Sequence, residues 1–130
     1  MKIILDGNFL NYGGTVLNRV EVAERRHWWI SCEPLLGSID LHLDLLSVPK
    51  PDWVVVGCES GSGRRPCALE WVESIVEQCL DAGVRVFVKQ LNIKGVCERD
   101  IMHFPPNLRI RQTPWSHKIL PIDMPNGRKD

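Results

Sequence analysis

The chain has 130 residues, of which 44 % are hydrophobic and 25 % are charged, amounts typical of one globular domain with a hydrophobic core. Sixteen Lys and Arg residues balance sixteen Asp and Glu residues, so the net charge gives no support to nucleic-acid binding, although it does not exclude a local basic site. The sequence lacks the long apolar run of a transmembrane helix. Its N-terminal apolar run stops at Asp6 and is too short for a signal peptide. Together these features predict a cytoplasmic protein without membrane contact.

Three apolar segments, at residues 27–32, 53–58 and 84–88, are predicted to be buried strands. Continuous runs of β-branched and aromatic residues are typical of strands covered on both faces, as in parallel sheets. Between the second and third strands, the spacing of apolar residues predicts an amphipathic helix over 68–82, with Gly83 suited to a left-handed cap. The β-α-β order predicts an α/β fold with about three parallel strands.

The other segments have weaker patterns. A helix is predicted over 18–26, and a short helix or turn over 35–48. Beyond Lys89, repeated prolines break any long element. Alternation over Leu108–Arg111 predicts a short edge strand, and residues 115–130 are predicted to form a flexible, Pro-rich tail.

Polar residues follow each predicted strand directly. Glu33 follows the first strand, Glu59 the second, and Lys89 with Gln90 the third. Because the carboxyl ends of parallel strands meet at one edge of a sheet, where ligands of such folds bind, these residues are candidate ligand-binding groups. A structural ion pair between Glu33 and Lys89 is the alternative, since a buried carboxylate needs a partner.

A glycine-rich turn, residues 57–65, connects the second strand to the helix. Its backbone N–H groups and the helix N-terminus that follows favour an anion such as a nucleotide. The alternative is a flexible turn with solvated arginines. The candidate ligand-binding residues of this turn, besides Glu59, are Ser60, Gly61, Gly63, Arg64 and Arg65.

Five cysteines are present, an odd number, and no pair has the CxxC spacing. For an intracellular protein, an odd number of cysteines without closely spaced pairs predicts neither a disulfide framework nor a metal site. Cys32, Cys58 and Cys79 are therefore predicted to be small buried hydrophobic residues. Most of the five tryptophans are predicted to pack in the core or between layers, and Trp115 in the tail is the one most open to a ligand or partner.

A series of blocks resembles the phage Gp thirty-seven / Gp sixty-eight family, a domain of unknown function. The resemblance extends from Trp29 to Pro114 and leaves residues 1–26 unaligned. The blocks are Ile30–Leu41, Asp52–Gly61, Arg65–Pro66, Trp71–Val72, Val86–Leu91 and Phe104–Arg111.

Full-length members of that family resemble radical S-adenosylmethionine proteins, in which a partial (β/α) barrel carries a [4Fe–4S] cluster on an N-terminal cysteine motif. The resemblance implies that residues 27–114 correspond to the C-terminal half of the barrel. This sequence lacks the cysteine motif, so we expect no cofactor in this chain; S-adenosylmethionine and the cluster are implied for full-length relatives alone.

Three functions remain open from the sequence. The first is a truncated phage or prophage protein that is catalytically incompetent by itself. The second is a binding module for a small molecule or nucleotide, using the Gly57–Arg65 turn. The third is an interaction protein, because an open half sheet invites pairing, either as a homodimer or with a separate N-terminal half.

Overall fold

A computed structural model describes the backbone of residues 2–5, 8–11, 28–45 and 49–114, and the side chains of residues 28–45 and 49–114. The helix predicted over 18–26, residues 46–48 of the predicted 35–48 turn, Trp115 and the predicted 115–130 tail lie outside the described residues. All five cysteines and every candidate site residue lie inside them.

A five-stranded open sheet forms the centre of the described structure, and no barrel closes among its strands. β3 pairs in parallel with β4, and β4 with β5, which confirms the three predicted parallel strands. β1 runs antiparallel to both β2 and β3; this hairpin was not predicted, although the Asp6-Gly7 pair between the two strands is a sequence common in hairpin turns. The strands in sheet order are β2 (Asn8–Asn11), β1 (Lys2–Leu5), β3 (Trp28–Cys32), β4 (Trp53–Val56) and β5 (Arg85–Val88).

The predicted helix is confirmed as α1 (Leu69–Ala82). Its buried residues are Val72, Ile75, Val76 and Cys79, which form the expected apolar stripe against the sheet. Gly83 adopts the left-handed conformation with φ 70°, and its N–H donates to the carbonyls of Cys79 and Leu80. Glycine is favoured there because it lacks the Cβ that would clash in this conformation.

Two short strands follow β5 where the sequence predicted only broken structure. β6 (Leu91–Ile93) and β7 (Val96–Glu98) form an antiparallel hairpin. Its turn consists of Lys94 with φ 51° and Gly95 with φ 76°, the paired positive angles of a tight hairpin turn. The hairpin was missed because three-residue strands give no measurable alternation.

The chain then returns to the free edge of β5. Two 3-10 turns, Ile101–His103 and Pro106–Leu108, lead to a segment that bonds to that edge. Val88 N donates to Ile110 O, and Gln112 N donates to Val86 O. The edge strand predicted over Leu108–Arg111 is reduced to one bridge, between Phe87 and Arg111.

The core lies between the sheet and α1. Val54, Val56, Val86 and Val88 are fully buried there. Cys32 and Cys79 share this core, and burial raises the pKa of the Cys32 thiol to about 12, so both behave as the small buried hydrophobic residues expected from the sequence. The segment between β3 and β4 has a turn rather than a helix in its described part, residues 33–45 and 49–52.

Candidate functional site

Glu33, Lys89 and Gln90 lie together at the carboxyl edge of the parallel strands, and we call them the strand-end cluster. Lys89 Nζ lies 3.2 Å from Glu33 Oε1, and Gln90 Nε2 donates to the same oxygen at 2.9 Å. The structure therefore brings together three of the predicted site residues, and the ion pair offered as the structural alternative for Glu33 is formed. Both charged side chains remain partly exposed, so the pair itself contributes little to stability.

Gln90 connects this cluster to the end of β4. Its side chain is 2 % exposed, and Nε2 also donates to Cys58 O at 2.6 Å. Gln90 Oε1 is buried without a hydrogen-bond partner among the described residues. A Cβ on Gly57 would lie 3.2 Å from the Gln90 carboxamide. A side chain at position 57 would therefore press against the Gln90 carboxamide, so glycine is favoured there for a steric reason rather than for flexibility.

The glycine-rich turn is closed at its base by a disulfide between Cys58 and Cys67, whose Cα atoms are 5.8 Å apart. The prediction that Cys58 is buried is confirmed, since it is 1 % exposed, but the prediction of a free thiol and of no disulfide was wrong for this pair. The two cysteines are nine positions apart, and this spacing matches no redox or metal motif that would have predicted the disulfide. We call the segment the 58–67 loop.

Glu59 contacts Arg65 within this loop rather than the strand-end cluster. Arg65 Nη2 donates to Glu59 Oε1 at 2.7 Å, while Arg65 Nε and the Arg65 backbone N–H both donate to Oε2. This paired geometry is the strongest that a guanidinium and a carboxylate form. Hydrogen bonding from the Arg65 side chain, followed by that from its backbone, lowers the pKa of Glu59 to about 2.

Substituting Glu59→Gln is expected to produce a pH-dependent loss of thermal stability. Because the pKa of Glu59 falls from 4.5 to about 2 on folding, its stabilising effect is present above pH 4.5 and disappears as the pH falls towards 2. The melting temperatures of wild type and variant should differ at neutral pH and converge in acid. Glu77→Gln, on the exposed surface of α1, is the control; a Glu59→Gln difference that is unchanged across this pH range would contradict the assignment.

Arg64 connects the 58–67 loop to the β6–β7 turn. Its two terminal nitrogens donate to the carbonyls of Gly61, at 3.2 Å, and Gly95, at 2.5 Å. Gly63, with φ 70°, takes the left-handed conformation that directs the chain into this contact. Ser60 and Gly61 are exposed. The guanidinium of Arg64 is thus held in place, and it is not the freely solvated charge of the alternative interpretation.

A groove of about 840 Å³ lies between the loop, the start of α1 and the β6–β7 turn. Two of its lining residues, Arg64 and Lys94, are basic, and none of the described residues that line it is acidic. We call it the basic groove. Its lining residues are Gly63, Arg64, Pro66, Cys67, Ala68, Trp71, Asn92, Lys94 and Gly95.

A second polar group lies at the opposite end of α1. The side chains of Asp40, His42 and Asp44 place one potential metal ligand each within 4.8 Å of one another. The cluster is exposed, and the Asp40–His42 contact of 3.6 Å already pairs two of its members. It adjoins a smaller cavity of about 420 Å³ that also contacts Asp81.

Residues 11–103 match the family described as protein of unknown function (DUF5131). The chain belongs to this family. The DUF5131 region contains the strand-end cluster, the 58–67 loop and the basic groove, and it begins within the segment that the sequence analysis left unaligned. No curated protein and no solved structure has significant similarity to the chain. No helix among the described residues is long and apolar enough to span a membrane.

Sequence reasoning missed part of the basic groove of this DUF5131 chain. Lys94, Asn92 and Trp71 line it, but none follows a predicted parallel strand. The signal available for Lys94 was its position beside Gly95, since a polar residue followed by glycine between short apolar segments is typical of a hairpin turn. Nothing in the sequence placed that turn beside Arg64, thirty-one positions away from Gly95.

Proposed function

We propose that the chain is a binding module for a small phosphate-bearing ligand, held in the basic groove. The observation that carries this proposal is the charge of the groove: Arg64 and Lys94 line it without any acidic side chain among the described residues. The net charge of the whole chain is zero. A groove with a purely positive lining on a neutral chain attracts an anion locally rather than through the field of the whole protein.

The N-terminus of α1 adds to this attraction. Its N-cap residue, Ala68, has no side-chain hydrogen bond to the helix, and Ala68 lines the groove. The first N–H groups of a helix lack partners within the helix and carry partial positive charge. An anion in the groove would approach these groups and the fixed Arg64 guanidinium together, which is the combination used to bind phosphate.

Trp71 indicates that the ligand also has an apolar or planar part. This side chain is half-buried and lines the groove from the first turn of α1. Binding sites for small molecules combine apolar and aromatic walls with a few fixed polar groups, and bases stack on aromatic side chains. A nucleotide has both parts, and it is the class of ligand that the groove fits best.

The test is calorimetric titration of the chain with ADP at low salt, together with the Lys94→Glu variant. We expect wild-type binding that weakens as salt increases, and a Kd raised by about tenfold or more in the variant, since one attractive charge becomes repulsive. Lys94 and Arg99 are both exposed, so Arg99→Glu, which lies outside the groove, is the charge-matched control. Equal losses in the two variants, or no binding of ADP or pyrophosphate by the wild type, would contradict the proposal.

A second candidate follows from the parallel order β3-β4-β5, with α1 as the crossover between β4 and β5. We propose that this unit corresponds to the late part of a radical S-adenosylmethionine-like barrel and is catalytically incompetent alone. The cysteines do not fit a [4Fe–4S] cluster: Cys58 and Cys67 are bonded to each other, while Cys32 and Cys79 are buried in the core. A cluster would therefore need ligands from outside this chain.

Anaerobic reconstitution with iron and sulfide tests that candidate. We expect no stoichiometric cluster absorbance from the chain alone, and a stoichiometric spectrum would contradict the proposal. Completion of the sheet by a second copy or by a separate N-terminal half stays a prediction; light scattering on the purified chain measures the first.

A further inference from the structure

We propose that the Cys58–Cys67 disulfide is a reversible thiol–disulfide exchange site, that Cys67 is its attacked sulfur, and that its partner is an anionic low-molecular-weight thiol. Thiol–disulfide exchange at this pair does not require phosphate binding. Only its effect on ligand affinity rests on the proposed function.

The two cysteines differ in access, although both are largely buried. Cys67 is 7 % exposed and lines the basic groove, whereas Cys58 is 1 % exposed, is not among the groove's lining residues, and its carbonyl accepts a hydrogen bond from the buried Gln90 side chain. An incoming thiolate reaches a sulfur only along an open path. The groove supplies that path to Cys67.

The charges around Cys67 favour both the attacking anion and the thiolate that exchange releases. Arg64 and Lys94 line the same groove, so a negatively charged thiol is concentrated there relative to a neutral one. Cys67 lies two positions before Leu69, the first residue of α1. Thiolates are stabilised near helix N-termini and basic side chains.

The exchange balances in two steps. A thiolate RS⁻ attacks Cys67 Sγ; the bond between the two cysteines breaks, and its electron pair leaves on Cys58 Sγ, which takes a proton from solvent. A second thiolate then attacks the outer sulfur of the mixed disulfide, releasing the Cys67 thiolate and RSSR. Two thiols are oxidised while the protein disulfide gains two electrons, and the low-molecular-weight disulfide RSSR closes the loop again by the reverse route.

The loop that the disulfide closes forms one wall of the groove. Gly63, Arg64, Pro66 and Cys67 all line it, and the intervening residues are mostly exposed. A segment without buried apolar side chains depends on its covalent and polar ties for order. Reduction leaves the Glu59–Arg65 and Arg64–Gly95 contacts to hold the wall, so we expect faster amide exchange over residues 59–66 and weaker ligand binding.

The first experiment counts thiols by mass after alkylation of the denatured, unreduced chain. We expect three reactive thiols, belonging to Cys32, Cys79 and Cys97, and five after reduction; five before reduction would overturn the disulfide.

The second experiment treats Cys58→Ser and Cys67→Ser variants with oxidised glutathione under native conditions. Cys58→Ser should acquire one glutathione at Cys67, and Cys67→Ser should leave Cys58 unmodified. The opposite pattern, or equal modification, would overturn the assignment of the attacked sulfur.

The third experiment compares reduction of the wild type and Lys94→Glu by glutathione and by neutral 2-mercaptoethanol. Lys94→Glu should slow reduction by glutathione by about tenfold relative to reduction by mercaptoethanol, and an unchanged ratio of the two rates would overturn the preference for an anionic thiol.

ADP titration of the oxidised and reduced chains tests the regulation. We expect a Kd for ADP at least severalfold higher after reduction, and equal values would overturn the regulation. If ADP binds neither form while the thiol counts and adducts stand, the proposed function has failed and the exchange site has not.

Discussion

Replacing Gln90 by glutamate is expected to lower the free energy of unfolding at neutral pH by about 3–5 kcal/mol, the cost of an uncompensated buried charge. The wild-type amide donates to Glu33 Oε1 at 2.9 Å and to Cys58 O at 2.6 Å. An ionised carboxylate donates to neither oxygen and adds a second negative charge beside Glu33. The side chain at this position is 2 % exposed, so water cannot screen the repulsion.

The loss caused by Gln90→Glu should depend on pH. Burial and the neighbouring Glu33 raise the pKa of the introduced carboxyl above its unfolded value of about 4.3. The destabilisation is therefore fully present above the raised pKa and disappears as the pH falls towards about 4. Urea unfolding of wild type and variant across this range measures the difference.

Gln90→Met is the control for volume, because it removes the hydrogen bonds and adds no charge. We expect it to cost about 1–3 kcal/mol, with little change between neutral and acid pH. If Gln90→Glu costs no more than Gln90→Met at neutral pH, the position is not closed to water, and Gln90 does not have the connecting role that its contacts indicate.

The elements that the sequence predicted correctly are those whose pattern is local. The apolar stripe of α1 and the continuous runs of β4 and β5 need only periodicity and composition to be recognised. The strand ends then placed Glu33 beside Lys89, because parallel strands in register present their next residues at one edge. That part of the candidate site followed from chain order alone.

Glu59 shows where this reasoning stopped. Its position after β4 predicted a place in the strand-end cluster, but Arg65, six positions along the same loop, offers three hydrogen bonds at little entropic cost. A short loop that can pair internally competes successfully with a contact across the sheet. The Cys58–Cys67 disulfide was missed for a related reason. The two sulfurs meet only when the fold has brought both ends of the loop together, and the sequence does not show that arrangement.

From the sequence, Arg111 was named only as the last residue of the edge strand predicted over Leu108–Arg111, and the structure gives its side chain a role of its own. Its Nε donates to Val88 O at 2.9 Å, and its Nη2 donates to the carbonyls of Lys89, at 2.9 Å, and Arg99, at 2.7 Å. Burial lowers the pKa of this guanidinium. No feature of the sequence distinguishes Arg111 from Arg109, because the carbonyls it binds belong to segments that come together only in the folded chain.

Substituting Arg111→Lys is therefore expected to lower the free energy of unfolding by about 2–3 kcal/mol, although the charge is kept. Hydrogen bonds to charged groups contribute about 1.5–3 kcal/mol each, and the single ammonium of lysine cannot reproduce the fork geometry of a guanidinium. The guanidinium carbon also lies 5.4 Å from the ring centres of both Phe87 and Phe104, planar contacts that lysine loses. Urea unfolding with a linear extrapolation measures the loss.

Arg109→Lys gives the matched comparison for Arg111→Lys. Arg109 lies two positions earlier, and its side chain donates one hydrogen bond among the described residues, from Nε to Phe104 O at 2.9 Å. A lysine ammonium can replace one bond to a carbonyl but not the three of Arg111, so Arg109→Lys should cost about 1 kcal/mol or less. Because both substitutions keep the charge and shorten the same side chain, the difference between them isolates the extra carbonyls and the ring contacts of Arg111. Equal losses would mean that Arg111 does not fasten residues 108–112 to the sheet edge, and that other contacts, such as the bonds of Ile110 and Gln112 to β5, hold this segment there.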